Sequence, residues 1–406
     1  LRESPDAHLD LTLMQGSSIE EDLALRDFRL NALALPLSAR GLFLGRLQRD
    51  CEPLPRLPSQ LVDPFAGLDD LRSRRLDVVS DAVFRDDPGR ILRGARLAAH
   101  LGLAATPATM TLAREAAAQL ADLPDDRIRE ELNLLLALPR AANGFALLYD
   151  MQALEVLVAA AESGPNLPPD VAWAHMIRSL SALSLLQTTD RQKHDAIYAR
   201  LPLERLRAWY AASAPGESIA RIIALGWATV LHALAPHEPG YADAAPGRSV
   251  RQPQPAGVAT LRGLPARVQR VLHAWHDAQA LISAEHPDEG ALRRLFDNVE
   301  PGGESALDAL MVAFICLWAR SGSGPDGSER DLERVTDNVE RIVTTYFDDP
   351  NELMPPRLLD GAQVIRELGV TQGPIVGRIL RAVRAEQLAG NVSTVDEALA
   401  FACKHM

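Results

Sequence analysis

Helical periodicity fills this chain from about residue 81 to its end, and no other feature limits its fold as strongly. Apolar residues recur at three- and four-residue spacing over 107–121, 127–138, 142–160, 171–187, 196–212, 217–234, 265–283, 289–297, 304–320, 329–346, 360–368, 374–389 and 394–404. Proline and glycine clusters interrupt the pattern near 164–169, 236–256 and 321–328, and 236–256 reads as a surface loop. Strand-type alternation is confined to the beginning. In His8–Leu13, HLDLTL, the residues Leu9, Leu11 and Leu13 alternate with His8, Asp10 and Thr12, which predicts a half-buried strand carrying Asp10 on its polar face. The proline-punctuated stretch 41–62 reads as a hairpin region. The apolar run Leu30–Leu37 fits either an extended helix or a buried strand. The predicted class is α+β, mostly α: a small α/β portion followed by a long all-α body. With 406 residues there is chain enough for two or three domains with substantial cores.

Charge and cysteine content narrow the functional classes. The formal net charge is −12, so the overall basic signature of a nucleic-acid binder is absent, and any RNA contact needs a local positive cleft. Lys193 and Lys404 are the only lysines; every other cation is arginine, which suits bidentate recognition of phosphates and bases but also follows from genomic base composition. No apolar run approaches the ~18 residues of a membrane span. Cys51, Cys316 and Cys403 lie far apart without metal-ligand spacing and read as reduced thiols, and with no secretory signal in view the expected location is cytoplasmic. Leu1–Leu13 reads like the middle of a domain, so an N-terminal segment is expected ahead of it.

The most informative single stretch is Phe84–Leu101, FRDDPGRILRGARLAAHL. Asp86 and Asp87 stand where a helix N-cap needs an acceptor, and Pro88 takes the first-turn position it tolerates best. Ile91, Leu92, Ala95, Ala98, Ala99 and Leu101 mark a buried face. Arg90, Arg93 and Arg96, three residues apart, climb one side, with Asp87 one turn before Arg90. Such a face can hold a base edge at one end and phosphates at the other. It is equally the pattern of a capped, salt-bridged surface helix.

Four segments in order resemble the class II tRNA nucleotidyltransferase (CCA-adding enzyme)/poly(A) polymerase family. SIEEDLALRDFRLNALAL is similar to the family's motif B, RRDFTINA: Arg26, Asp27, Phe28, Asn31 and Ala32 match, while Leu25 replaces the first Arg and Arg29 the Thr. DPFAGLDDL, Asp63–Leu71, resembles motif C, DPxGGxxDL, with Ala66 in place of one Gly. DDPGRILRGARLAAHLGL resembles motif D, and DRIREEL, Asp126–Leu132, motif E. The C-terminal GVTQGPIVG reads as a tight helix-turn-helix with Gly369 as C-cap and Pro374 in the next first turn, and resembles the tail of bacterial members. WAHMIRSLSAL with His175 and ARIIALGWATVLHALAP with His232 look like an HD-type phosphohydrolase domain, but Ala233 stands where the metal-binding Asp belongs, so the resemblance implies a degenerate helical scaffold.

The resemblance implies a truncated polymerase-β-like nucleotidyltransferase head over 1–80, a nucleotide- and RNA-binding neck over 81–160, a degenerate HD-like body over 161–300 and an RNA-binding tail over 301–406. It implies transfer of C and/or A from CTP and ATP to the 3′ end of tRNA or another RNA, assisted by Mg²⁺. The alternatives are a poly(A) polymerase and a non-catalytic RNA-binding homologue. The family's Gly-Gly turn and D-x-D pair are absent from the sequence and are expected upstream of Leu1, which leaves Asp10 as the candidate catalytic and metal-binding carboxylate. Arg26, Asp27 and Asn31 would serve the ribose and triphosphate. Asp87 and Arg90 would read the base, with Arg93 and Arg96 facing phosphates or bracing the pocket. Asp63, Asp69, Arg127 and Glu131 would give structural support, and Gly373, Gly377 and Arg378 would meet RNA at a helix N-terminus.

Overall fold

In the computed structural model, residues 12–36, 60–159, 169–188, 200–212, 219–234, 265–299, 303–321 and 329–404 are described. They divide into two compact units, one formed by residues 1–135 and 143–160 and the other by 136–142 and 161–406.

The first unit begins with α1 (Ile19–Ala24), whose N-cap Ser18 accepts the Glu21 N–H, and a single 3₁₀ turn, Arg29–Asn31. Helix α2 (Gly67–Arg72) leads into β1 (Arg75–Leu76). Next come α3 (Val83–Asp86), α4 (Gly89–Leu101) and β2 (Ala104–Ala105), then α5 (Pro107–Ala116), α6 (Asp125–Leu136), α7 (Ala141–Asp150) and α8 (Ala153–Ala159). Strands β1 and β2 pair in parallel, Arg75 with Ala104 and Leu76 with Ala105. Two antiparallel bridges, Phe28 with Val78 and Ala34 with Val62, stitch the early segments to the same core.

Helix α4 is the spine of this unit. Ile91, Leu92, Ala95, Ala98 and Ala99 are buried as its periodicity predicts, whereas Leu101 is 37% exposed because it sits in the last turn, beside the Gly102 cap. Gly102 takes the left-handed conformation (φ 68°) that ends the helix, and its N–H returns to the Ala98 carbonyl. Gly94 is where α4 meets Phe28: a Cβ there would stand 2.7 Å from the Phe28 ring.

The second unit comprises α9 (Pro169–Leu183), α10 (Leu203–Ala211), α11 (Arg221–Leu234), α12 (Ala266–Ser283), α13 (Glu289–Val299), α14 (Glu304–Ser321), α15 (Glu329–Asp348), α16 (Pro350–Leu353), α17 (Gly361–Leu368), α18 (Pro374–Leu388) and α19 (Val395–Lys404). Its centre is α14. Every residue from Ser305 to Cys316 is buried, so this helix is enclosed on all sides, chiefly by α12, α9 and α15. At the C-terminal end α17, α18 and α19 close a small core around Val364, Val376, Ile379, Val383 and Ala398. Asp360 and Gln363 form a reciprocal capping box that starts α17, and Gly369 (φ 64°) ends it.

Some expectations change. The predicted single helix over 142–160 is two, because Gln152 turns the chain in the left-handed region (φ 58°). Of the predicted strand His8–Leu13, residues 8–11 with Asp10 lie outside the described residues, and the described end is not a strand: Leu13 is 90% exposed. The described part of the run Leu30–Leu37, residues 30–36, is neither long helix nor strand but a 3₁₀ turn and one bridge at Ala34. Most of the predicted hairpin 41–62 and all of loop 236–256 lie outside the described residues. Among the described residues no helix is long and apolar enough to cross a membrane.

Candidate functional site

Asp87 sits in the gap between α3 and α4 in an extended conformation (φ −153°, ψ 97°). Its Oδ1 accepts the Gly89 N–H at 3.0 Å, so the predicted cap forms, with Asp87 rather than Asp86 as the acceptor; Asp86 ends α3. Its Oδ2 accepts from Arg127 Nη2 on α6 at 2.5 Å and lies 3.8 Å from Arg90 Nε. Gly89 leaves room for the Arg127 guanidinium: a Cβ there would stand 3.1 Å from its carbon and press it aside by a few tenths of an ångström. Arg90 leaves its other nitrogens for main-chain carbonyls: Leu25 at 3.3 Å and Val83 at 3.4 Å.

One and two turns on, Arg93 Nε meets Asp27 Oδ2 at 2.9 Å and Arg96 Nε meets Glu131 Oε2 at 2.7 Å. The three arginines of α4 therefore each face a carboxylate. Arg93 remains half exposed; Arg96 is largely covered, between α4 and α6. Asp27 is only 6% exposed, and its Oδ1 accepts both the Phe28 N–H (2.8 Å) and Asn31 Nδ2 (3.0 Å). Asp27, Asn31, Arg93, Arg90 and Asp87 thus form one connected surface across the 3₁₀ turn and the start of α4.

Arg26, exposed, pairs with Asp22 at 2.9 Å instead of joining that surface. Asp22 also takes the Gln15 N–H, and these two donors hold its carboxyl below the usual range, the backbone bond first. Asp63 caps α2 through the Gly67 (2.7 Å) and Leu68 (3.1 Å) N–H groups. Asp69 is exposed and pairs only with Arg72; the buried carboxylate of that helix is Asp70, 1% exposed and bound to Arg75 at 3.1 Å. Position 70 shares an inward face with Gly67, three residues earlier, whereas 69 points to solvent. Gly373, Gly377 and Arg378 lie in the second unit, at the start of α18, where Gly373 and Arg378 are exposed.

The two departures from motif B have structural explanations. Leu25 contributes its carbonyl to Arg90 while its side chain is 55% exposed, so the missing Arg leaves the main-chain link intact. Arg29, in place of Thr, turns inward: Nε donates to the Val78 carbonyl (3.1 Å) and Nη1 pairs with Asp77 (3.1 Å). Asp77 was not among the residues singled out in the sequence, yet it is a hub that also accepts from Thr106 and Thr109 hydroxyls. Its partners are 29 and 32 residues away, so no local pattern marks it.

Comparison with known proteins gives this arrangement a context. Residues 102–163 match the family model described as "Probable RNA and SrmB- binding site of polymerase A". An A-adding tRNA nucleotidyltransferase of Deinococcus radiodurans is 28% identical over 393 residues, 95% of this chain and 79% of its own length. A CC-adding tRNA nucleotidyltransferase of Thermus thermophilus is 29% identical over 413 residues, covering 97% of this chain and 79% of that protein. Along nearly its whole length the chain is similar to class II CCA-adding and partial-CCA-adding tRNA nucleotidyltransferases. A solved structure of this family, the Bacillus stearothermophilus CCA-adding enzyme in complex with CTP, superposes with a TM-score of 0.56 at 21% identity, covering 96% of this chain and 75% of that one, which shows the shared fold.

Members of the CCA-adding family are nucleotidyltransferases that need a divalent metal. Among the described residues of the first unit, Asp22, Asp27, Asp63, Asp77 and Asp87 are each committed to N–H groups, hydroxyls or guanidinium groups, and no three acidic or His/Cys ligands stand together there. Those residues do not build the cation's cage.

Proposed function

We propose that this protein is a template-independent RNA nucleotidyltransferase that adds C and/or A from CTP and ATP to the 3′ end of tRNA. The observation that carries the reading is the Asp87–Arg90 pair at the first turn of α4, tied to motif B through Arg93–Asp27 and the Leu25 carbonyl. A carboxylate beside a guanidinium accepts from the exocyclic amine of C or A and donates to a ring nitrogen, or to O2 of C. U and G present mismatched edges, and each group left unpaired costs about 1–3 kcal/mol. Arg127 and Gly89 N–H fix the Asp87 carboxylate on two sides, so its orientation does not depend on the nucleotide. Arg93, half exposed, can turn toward a triphosphate without leaving Asp27; Arg96, Glu131 and Asp63 hold the scaffold.

Mg²⁺ is our choice of divalent cation, with Asp10 supplying a carboxylate. Gly373, Gly377 and Arg378 are proposed to meet RNA at the start of α18. The names of the relatives that align over nearly the whole chain, A-adding and CC-adding, support a partial reaction, C or A, as readily as the complete one. The test is incubation of the full-length gene product with Mg²⁺, each labelled nucleotide and tRNAs ending before CCA, after C and after CC. Incorporation of C, A or both at the matching end is expected. Long A tracts on unrelated RNA would favour the poly(A) polymerase alternative. Retention of tRNA in a gel shift with no incorporation would identify a non-catalytic RNA-binding homologue.

A further inference from the structure

The second unit holds a group of side chains that the nucleotidyl-transfer reading does not use. His175 on α9, His232 on α11 and Cys316 on α14 converge from three helices, and their donor atoms all lie within 4.8 Å of one another. All three residues are buried, at 4%, 4% and 2% exposure. The imidazole planes of His175 and His232 stand nearly edge to face, 79° apart, with ring centroids separated by 6.4 Å. The Trp275 ring lies 3.9 Å from His232, centroid to centroid, and fixes the plane of that imidazole. Ser179, one turn after His175, donates its hydroxyl to the His175 carbonyl at 2.9 Å and hydrogen-bonds Cys316.

We propose that His175, His232 and Cys316 form a binding site for one thiophilic transition-metal ion, Zn²⁺ in the first place, that pins α9, α11 and α14 together inside the second unit.

Two neutral imidazoles and one thiolate are the donor set that borderline and soft cations select over water and carboxylate oxygen. Around a tetrahedral zinc with Zn–N about 2.0 Å and Zn–S about 2.3 Å, donor atoms stand roughly 3.3–3.8 Å apart. The donor atoms, all within 4.8 Å of one another, stand somewhat wider than that, so the ion draws them together on binding. No carboxylate joins the group among the described residues. That argues against Mg²⁺ or Ca²⁺, which take oxygen ligands. Binding converts Cys316 S–H and hydrated Zn²⁺ into a Zn–S bond, with the proton and the displaced waters released to solvent; each imidazole gives a ring-nitrogen lone pair. The fourth position is left to water or to the Ser179 hydroxyl. The sequence marks His175 and His232 through their HD-type resemblance, but Cys316, on a third helix, shares no motif with them and is legible only in the fold.

The test uses the full-length protein stripped of metal and titrated with Co²⁺, a spectroscopic stand-in for Zn²⁺. The expected result is a sulfur-to-cobalt charge-transfer band in the near ultraviolet together with visible tetrahedral bands, saturating at one equivalent and erased by one equivalent of Zn²⁺. Cys316→Ala should abolish the charge-transfer band, and His232→Gln should weaken cobalt binding at least tenfold. Cys403→Ser, at an exposed cysteine, should leave the spectrum unchanged. Zn²⁺ should raise the melting temperature of the wild type and not of Cys316→Ala. Failure of the wild type to develop the thiolate band, or a band that survives Cys316→Ala, overturns the proposal. Both readouts are independent of nucleotide incorporation, so the fate of this site and that of the proposed activity are separable.

Discussion

At the residue scale, nucleotide choice is expected to depend on the Asp87–Arg90 pair, whose supporting contacts, Arg127 and the Leu25 carbonyl, come from distant parts of the chain. Asp87→Ala or Arg90→Ala should raise misincorporation of U and G relative to C and A by roughly 10- to 100-fold, the kinetic equivalent of about 1–3 kcal/mol per unpaired group, while tRNA affinity changes little. Single-turnover kcat/KM for each nucleotide measures this, and an unchanged C/A preference in both variants would remove base reading from this pair. Arg127→Ala tests a positioning role: Asp87 keeps its Gly89 bond but loses its 2.5 Å guanidinium partner. Discrimination should fall by less than in Asp87→Ala, and Arg127→Lys should restore part of it. The Asp87–Arg90 spacing was legible in the sequence because i and i+3 share a helix face. The Arg127 link spans 40 residues and Asp77 gathers partners from two distant segments, so neither could be read from local pattern.

At the element scale, the tightest demand lies where α2 meets the 3₁₀ turn. A Cβ at Gly67 would stand 2.1 Å from the Arg29 carbonyl oxygen, which belongs to the main chain and cannot swing aside. Gly67→Ala should therefore cost about 1–3 kcal/mol and shift the Asp27–Asn31 segment, lowering kcat along with the melting temperature. Its neighbour offers the opposite case. Ala66 occupies the left-handed region at φ 58°, where the family motif has glycine. Ala66→Gly should be neutral or stabilising by up to about 1 kcal/mol in urea unfolding, since relief of the Cβ strain outweighs the added freedom of the unfolded chain. Most helices of the second unit were legible to within a few residues because their apolar period is long and unbroken. The break at Gln152 was not, since the residues on both sides keep the helical period and only the backbone angle interrupts it. The strands escaped for another reason: β1 and β2 are two residues each, too short for alternation to register.

At the scale of the folded chain, the second unit is organised around a buried charge network that a hydrophobic pattern does not reveal. Asp308, fully buried on the central helix α14, receives Arg267 Nε at 2.7 Å and the Tyr210 hydroxyl at 3.1 Å. Arg267 Nη1 continues to Glu304 at 2.7 Å, and Glu304 also pairs with Arg221 at 2.9 Å, so two cations balance two anions. Arg267→Met leaves Asp308 buried without its cation and should cost about 3–5 kcal/mol in urea unfolding, against at most about 1 kcal/mol for the exposed pair removed by Arg72→Ala. The network also sets a pH dependence. Burial pushes the Asp308 carboxyl up to about 6 against the pull of Arg267, whereas in the unfolded chain it titrates near the ordinary value of about 4. Between those values the folded state binds more protons than the unfolded state, so this group's contribution to stability declines as pH rises from about 4 to about 6 and is flat above. Asp308→Asn removes the titration and keeps the shape. The stability difference, wild type minus Asp308→Asn, should therefore shrink as pH is raised across that window. A difference that grows instead would mean that Arg267 outweighs burial and holds the carboxyl below its ordinary range, with the ion pair rather than the protonated acid supporting the centre of the unit.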